Sequence, residues 1–132
     1  MPQPPIIGNS LRQELRPPGP VRFDVSQRPL GPAVLVEVRG ELDVQTASRM
    51  AAKLNRLVRQ EKDLVFDLTE TVFIDSVGLH TLLNVQRRLT RRGHGLTVVC
   101  DEGPVRRVIE LARLSETLGV VSSQDDYLAR SG

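Results

Sequence analysis

From Val21 onward, short apolar runs alternate with stretches of helical periodicity. Val34, Val36 and Val38 alternate with Leu35, Glu37 and Arg39, the period of two expected of a strand with one buried face. Gly40-Glu41-Leu42-Asp43 ends that strand. From Thr46, a good N-cap, apolar side chains recur at Ala47, Met50, Ala51, Leu54, Leu57 and Val58, which predicts an amphipathic helix. Leu64-Val65-Phe66-Asp67-Leu68 is a short apolar run of the kind that fills the middle of a sheet. A loop through Thr69-Glu70-Thr71 leads to Phe73-Ile74. Asp75-Ser76 then supplies the cap of a second helix lined by Leu79, Leu82, Leu83 and Leu89, and Gly93 after Arg91-Arg92 stops it. Leu96 to Cys100 predicts a strand. Pro104 suits the first turn of a third helix with Val105, Val108, Ile109 and Ala112 on one face. Val120-Val121 reads as an edge strand and Ser123 to Arg130 as a short terminal helix, while Val21 to Ser26 is an edge strand followed by a turn over Gln27-Arg28-Pro29-Leu30-Gly31-Pro32. The alternation predicts a small α/β domain: a mixed four- or five-stranded sheet with helices packed mainly on one face.

Before Val21 the texture differs. Six of the nine prolines fall in the first 20 residues, where they remove backbone donors and forbid helix, so residues 1–20 read as a flexible Pro-rich tail and 21–132 as the domain. A chain of 132 residues suits one core. With 39% hydrophobic and 26% charged residues it is too apolar for global disorder, and no apolar run approaches a membrane span. The N-terminus lacks the pattern of a secretory signal, giving the expectation of a cytoplasmic protein with no membrane partner. The single cysteine, Cys100, makes no intrachain disulfide and supplies no zinc site by itself, so neither metal nor cofactor is expected. A net charge of +2 and 3% aromatic residues argue against direct nucleic-acid binding.

On the residues alone, Asp75-Ser76 is first a helix start, where either side chain accepts from an unpaired backbone N–H. A serine hydrolase is a second reading, since Ile74-Asp75-Ser76-Val77-Gly78 holds the second half of a G-x-S-x-G elbow. Ile74 replaces the first glycine, however, and His80 lies four residues along the same helix, where it does not face Ser76. His94, between Gly93 and Gly95, reads as a solvated turn residue. Arg87, Arg88, Arg91 and Arg92 give the second helix a basic end that complements its dipole and reads as a solvated face, with a partner or phosphate contact as the alternative. Asp43 reads as a turn residue before Thr46, and Cys100 as a small buried hydrophobe.

The segment Val65-Phe66-Asp67-Leu68 to Phe73-Ile74-Asp75-Ser76-Val77-Gly78-Leu79, with Gly40-Glu41-Leu42-Asp43 some 30 residues before it, resembles the STAS domain family, in particular the bacterial anti-sigma factor antagonists. The resemblance covers about Val21 to Leu128. It implies that Ser76 is the residue phosphorylated by an anti-sigma factor with serine kinase activity, and that only the unphosphorylated chain binds that partner and releases a sigma factor. A phosphatase acting on phosphorylated Ser76 would restore binding. The same resemblance assigns Asp43, Asp75, Ser76, Val77 and Gly78 to the partner-binding surface, with Gly78 allowing close approach, and leaves open a STAS subunit of a larger signalling assembly. It implies no catalytic residue. Val77 stands where the family usually carries a second Ser or Thr, which makes Ser76 the unambiguous acceptor.

Overall fold

The computed structural model describes residues 22–131; the proposed tail, residues 1–20, lies outside them. The elements in order are β1 (Asp24–Leu30), β2 (Ala33–Leu42), α1 (Val44–Val58), β3 (Leu64–Asp67), β4 (Thr71–Ile74), α2 (Ser76–Arg91), β5 (Leu96–Val99), α3 (Pro104–Leu111), β6 (Val120–Val121) and α4 (Gln124–Ser131). The sheet runs β1-β2-β3-β5-β6, with β4 pairing β2. β1 is antiparallel to β2 and every other pairing is parallel, so the sheet is mixed as expected.

The first hairpin is longer than its sequence suggests. Gln27 to Leu30 belong to β1, paired in register from Gln27↔Val36 to Leu30↔Ala33, and only Gly31-Pro32 form the turn. Pro29 is tolerated because β1 is an edge strand. The loop expected around Thr71 is also a strand. β3 pairs Val34 to Glu37 of β2, and β4 continues along the same side of β2, pairing Gly40 to Leu42. A register shift at Gly40, whose φ is +93°, lets β2 bend there, so Gly40-Glu41-Leu42 lie inside the strand. The buried Thr71 hydroxyl donates to the Val38 carbonyl at 2.8 Å, fixing where β4 begins.

The main core lies between the sheet and α1, α2 and α3. Met50, Leu54, Leu57 and Val58 come from α1, Leu79, Leu82, Val85 and Leu89 from α2, and Val105 and Ile109 from α3, packed on Val34, Val36, Val38, Phe66 and Val98. Ala51 and Ala112 are exposed instead of joining these faces, and Leu83 and Val108 are only partly buried. Small alanines at the margin of a helical stripe gain little from burial, whereas Val85 and Leu118 fill the core fully. A second cluster, Ala33, Leu35, Val65, Val99 and Val121, occupies the other sheet face with Leu30 and with Tyr127 of α4 packed against it. β2 is therefore buried on both faces over its first half, correcting the one-faced reading of its alternation.

Candidate functional site

The parallel pairings fix the position of the Asp75-Ser76 turn. β2 and β4 run side by side in the same direction, so α1 after β2 and α2 after β4 both begin at the C-terminal edge of the sheet. Their N-termini meet there. Asp43 is the N-cap of α1: its Oδ1 accepts from the Gln45 and Thr46 N–H groups at 3.0 and 3.1 Å, while the Asp43 N–H donates to the Thr46 hydroxyl at 2.9 Å. This is a capping box in which Thr46 is the third helical residue; the cap is Asp43, not Thr46 as its position before the apolar stripe suggests. A carboxylate accepts two backbone donors where a hydroxyl so placed serves one, and that advantage moves the helix start three residues earlier.

Asp75 is the N-cap of α2 and joins the two helices. Its Oδ1 accepts from the Gly78 N–H at 2.9 Å and its Oδ2 from the Val44 N–H of α1 at 3.3 Å. Its own N–H donates to the Leu42 carbonyl at 3.3 Å, which ties the turn back to the end of β2. Both carboxylate oxygens are thus spent on backbone donors. Ser76, freed from capping, is the exposed first residue of α2, and among the described residues its hydroxyl has no hydrogen-bond partner. Val77 beside it is 39% exposed and Val44 across the junction 64% exposed. Sequence reading missed Val44, although its signal was present: an apolar residue directly after Asp43 that falls outside the helical stripe.

Gly78 is buried, and the close approach it allows is internal. A Cβ there would stand 2.3 Å from the Leu42 carbonyl oxygen and 2.8 Å from Ile74 Cγ1. The glycine lets α2 pass directly over the end of β2, where Asp75 reaches the first residue of α1. Asp43 is nearly buried as well. The exposed part of the predicted set is therefore Ser76 and Val77, with Asp75 half-buried and Asp43 and Gly78 holding the turn from beneath.

The hydrolase reading gains no geometry. His80 is exposed one turn along α2, among the described residues no hydrogen bond joins it to Ser76, and Asp75 orients backbone rather than an imidazole. Cys100 is buried, and burial pushes its thiol from the ordinary 9.0 up to about 11, with Asp101 adding to the shift, so it stays protonated at neutral pH. His94 is not simply solvated: its ring lies 3.4 Å from carboxylate oxygens of both Glu61 and Asp63, bracing the loops after α1 and α2.

The STAS domain model matches residues 24–126, nearly the whole described region. The chain belongs to the STAS domain family. Among STAS relatives it is similar to an anti-sigma F factor antagonist of Paenibacillus polymyxa, 27% identical over 98 residues that cover 72% of this chain and 83% of that protein. Its structure is similar to that of an anti-sigma factor antagonist from Mycobacterium paratuberculosis, with a TM-score of 0.76, 28% identity, and coverage of 83% of this chain and 93% of the other. The fold is shared with the Bacillus cell fate determinant SpoIIAA in its phosphorylated form, at a TM-score of 0.59 and 17% identity over 84% of this chain and all of that one. Among the described residues, no helix is long and apolar enough to cross a membrane.

Proposed function

We propose that this STAS domain is an anti-sigma factor antagonist: unphosphorylated, it captures an anti-sigma factor through the turn around Ser76 and so releases a sigma factor. The observation that carries the reading is the division of labour at that turn. Asp75 performs the capping, leaving an exposed serine hydroxyl with no structural duty among the described residues. A helix start that needed Ser76 for its own cap would withdraw the hydroxyl from any partner. Similarity to proteins named as anti-sigma factor antagonists supports an anti-sigma factor as the partner.

The partner itself acts as the serine kinase, and a phosphatase reverses the modification. Phosphate on Ser76 adds a charge of about −2 at the first residue of a helix, where the dipole and the unpaired N–H groups favour an anion. The fold therefore survives modification and the switch acts at the interface. There the phosphate would have to be desolvated beside Asp75, in a contact fitted to a neutral hydroxyl and the exposed Val77 and Val44 side chains. Phosphorylation thereby turns binding off.

The test is incubation with the anti-sigma factor and ATP followed by mass spectrometry. Phosphate is expected on Ser76 and absent from the Ser76→Ala protein, with Thr71→Ala and Thr81→Ala unaffected. Phosphate persisting on Ser76→Ala protein would place the switch elsewhere.

A further inference from the structure

The topology that gathers two helix N-termini at one edge of the sheet gathers their C-termini at the other. α1 and α2 both run from the C-terminal edge of the parallel strands to the N-terminal edge, where β3 and β5 begin side by side at Leu64↔Leu96. Their last turns and following loops meet there: the Leu64 N–H donates to the Gly95 carbonyl at 3.0 Å and the Gly95 N–H to Asp63 at 2.9 Å. Six cations crowd this edge, Arg56, Arg59 and Lys62 from the end of α1 and Arg88, Arg91 and Arg92 from the end of α2. Five are exposed and Arg88 is half-buried. Arg92 pairs with Glu61, and the other five have no ion-pair partner among the described residues. At the opposite edge lie Asp43, Asp67, Glu70, Asp75, Asp101 and Glu102, against Arg39, which pairs with Glu70 at 3.3 Å, and Arg106 and Arg107 at the start of α3. A net charge of only +2 thus hides a domain with an acidic edge and a basic one.

We propose that the basic edge is a second docking surface, for an acidic polypeptide segment, at the end of the domain remote from Ser76. Two helix C-termini already present carbonyl oxygens that two or three cations would satisfy, and the excess of cations beyond that is what a separate anion would use. Arginine supplies five of the six, and its planar guanidinium matches carboxylates in paired hydrogen bonds. Among the described residues, the exposed large hydrophobic side chains are Val44, Val77, Leu111 and Leu128, none of them on these last turns, so the edge carries no apolar anchor for a bilayer. It has no aromatic stacking platform for single-stranded nucleic acid either. Glu61 and Asp63 within the patch disfavour a continuous polyanion and suit a short segment of discrete charges. The domain would then hold two partners at once, one at each edge.

Fluorescence anisotropy with a labelled ten-residue peptide of alternating glutamate and glycine tests this, alongside oligothymidylate and phosphatidylserine vesicles as competing probes. The peptide is expected to bind the full chain, to weaken as salt rises, and to lose affinity by about tenfold or more in the Arg56→Glu/Arg91→Glu double variant. Arg56→Gln/Arg91→Gln removes the charge but keeps a polar side chain that suits a helix, guards against a folding defect, and should weaken binding less than the reversal. Arg107→Glu, an exposed reversal in the first turns of α3 at the other edge, should leave binding unchanged. So should Ser76→Asp, which separates this surface from the antagonist reading. Half that loss on a logarithmic scale in Arg107→Glu, a single reversal against a double one, would reduce the effect to net charge and overturn the proposal. So would unchanged binding in both double variants, or tighter binding of the oligonucleotide or the vesicles than of the peptide. Self-association of the chain that vanishes in the double variants would also overturn it, by placing a second copy on the edge.

Discussion

Replacing Gly78 with alanine sets two effects of opposite sign against each other. In an exposed helix, glycine to alanine stabilises by about 1 kcal/mol, because alanine loses less backbone entropy. Gly78, in contrast, lies under the junction of β2 and α2, where the new Cβ would meet the Leu42 carbonyl oxygen at 2.3 Å and Leu42 Cγ at 3.0 Å. The first contact is with backbone of a paired strand, which does not swing aside as a flexible side chain would. The start of α2 must retreat by well over half an ångström. Overpacking of this kind costs about 1–3 kcal/mol, here at the upper end. The retreat also strains the 2.9 Å bond from the Gly78 N–H to Asp75, part of an N-cap worth about 1 kcal/mol. With the propensity gain subtracted, the net loss is about 2–3 kcal/mol, a fall in Tm of roughly 8–12 °C for a domain of this size. Denaturant titration with an unchanged m value measures it. Gly95→Ala is the control: nothing lies within 4 Å of its added Cβ, and stability should stay within about 0.5 kcal/mol. A Gly78→Ala protein as stable as the parent would refute the close-packing argument.

Asp75→Ala removes both the α2 cap and the link to Val44, and should cost about 1–2 kcal/mol in chemical denaturation. Ser76→Ala should change stability by no more than about 0.5 kcal/mol, since its hydroxyl is unpartnered among the described residues. Cys100 should resist alkylation at pH 8 in the folded protein and react readily once the chain is unfolded. Because its folded value of about 11 lies above the ordinary 9.0, the stability held by the neutral thiol is complete below pH 9 and is lost as pH rises through 11; urea midpoints measured across that window should fall less in Cys100→Ala.

Most of the strand and helix order was legible in the sequence because apolar periodicity reports burial directly, as at Val34, Val36 and Val38 or Leu82 and Leu89. What escaped was set by tertiary pairing. Thr71-Val72-Phe73-Ile74 is too short and polar at its start to announce a strand, and becomes one because β2 extends past Gly40 and offers it a partner. Gln27 to Leu30 contain a proline that only an edge position tolerates, and the edge is a property of the whole sheet. Leu35, Val65 and Val99 lie in unbroken apolar runs that signal burial on both faces, but what covers the far side, α4 some 25 residues beyond the last of them, is not marked by those runs. At the site, motif and cap chemistry pointed to the Asp75-Ser76 turn, but the choice between Asp43 and Thr46 as cap and the meeting of Val44 with Asp75 follow from where two helices start in space.

We propose that the turn built by Asp75 and Gly78 presents Ser76 to an anti-sigma factor and that phosphate there ends the contact. Titration calorimetry of the anti-sigma factor against the unmodified chain and against chain phosphorylated on Ser76, with circular dichroism of both, tests it directly. Superimposable spectra are expected, with an affinity at least about a hundredfold weaker after phosphorylation. Equal affinity of the two forms, or loss of the folded spectrum on phosphorylation, would contradict it.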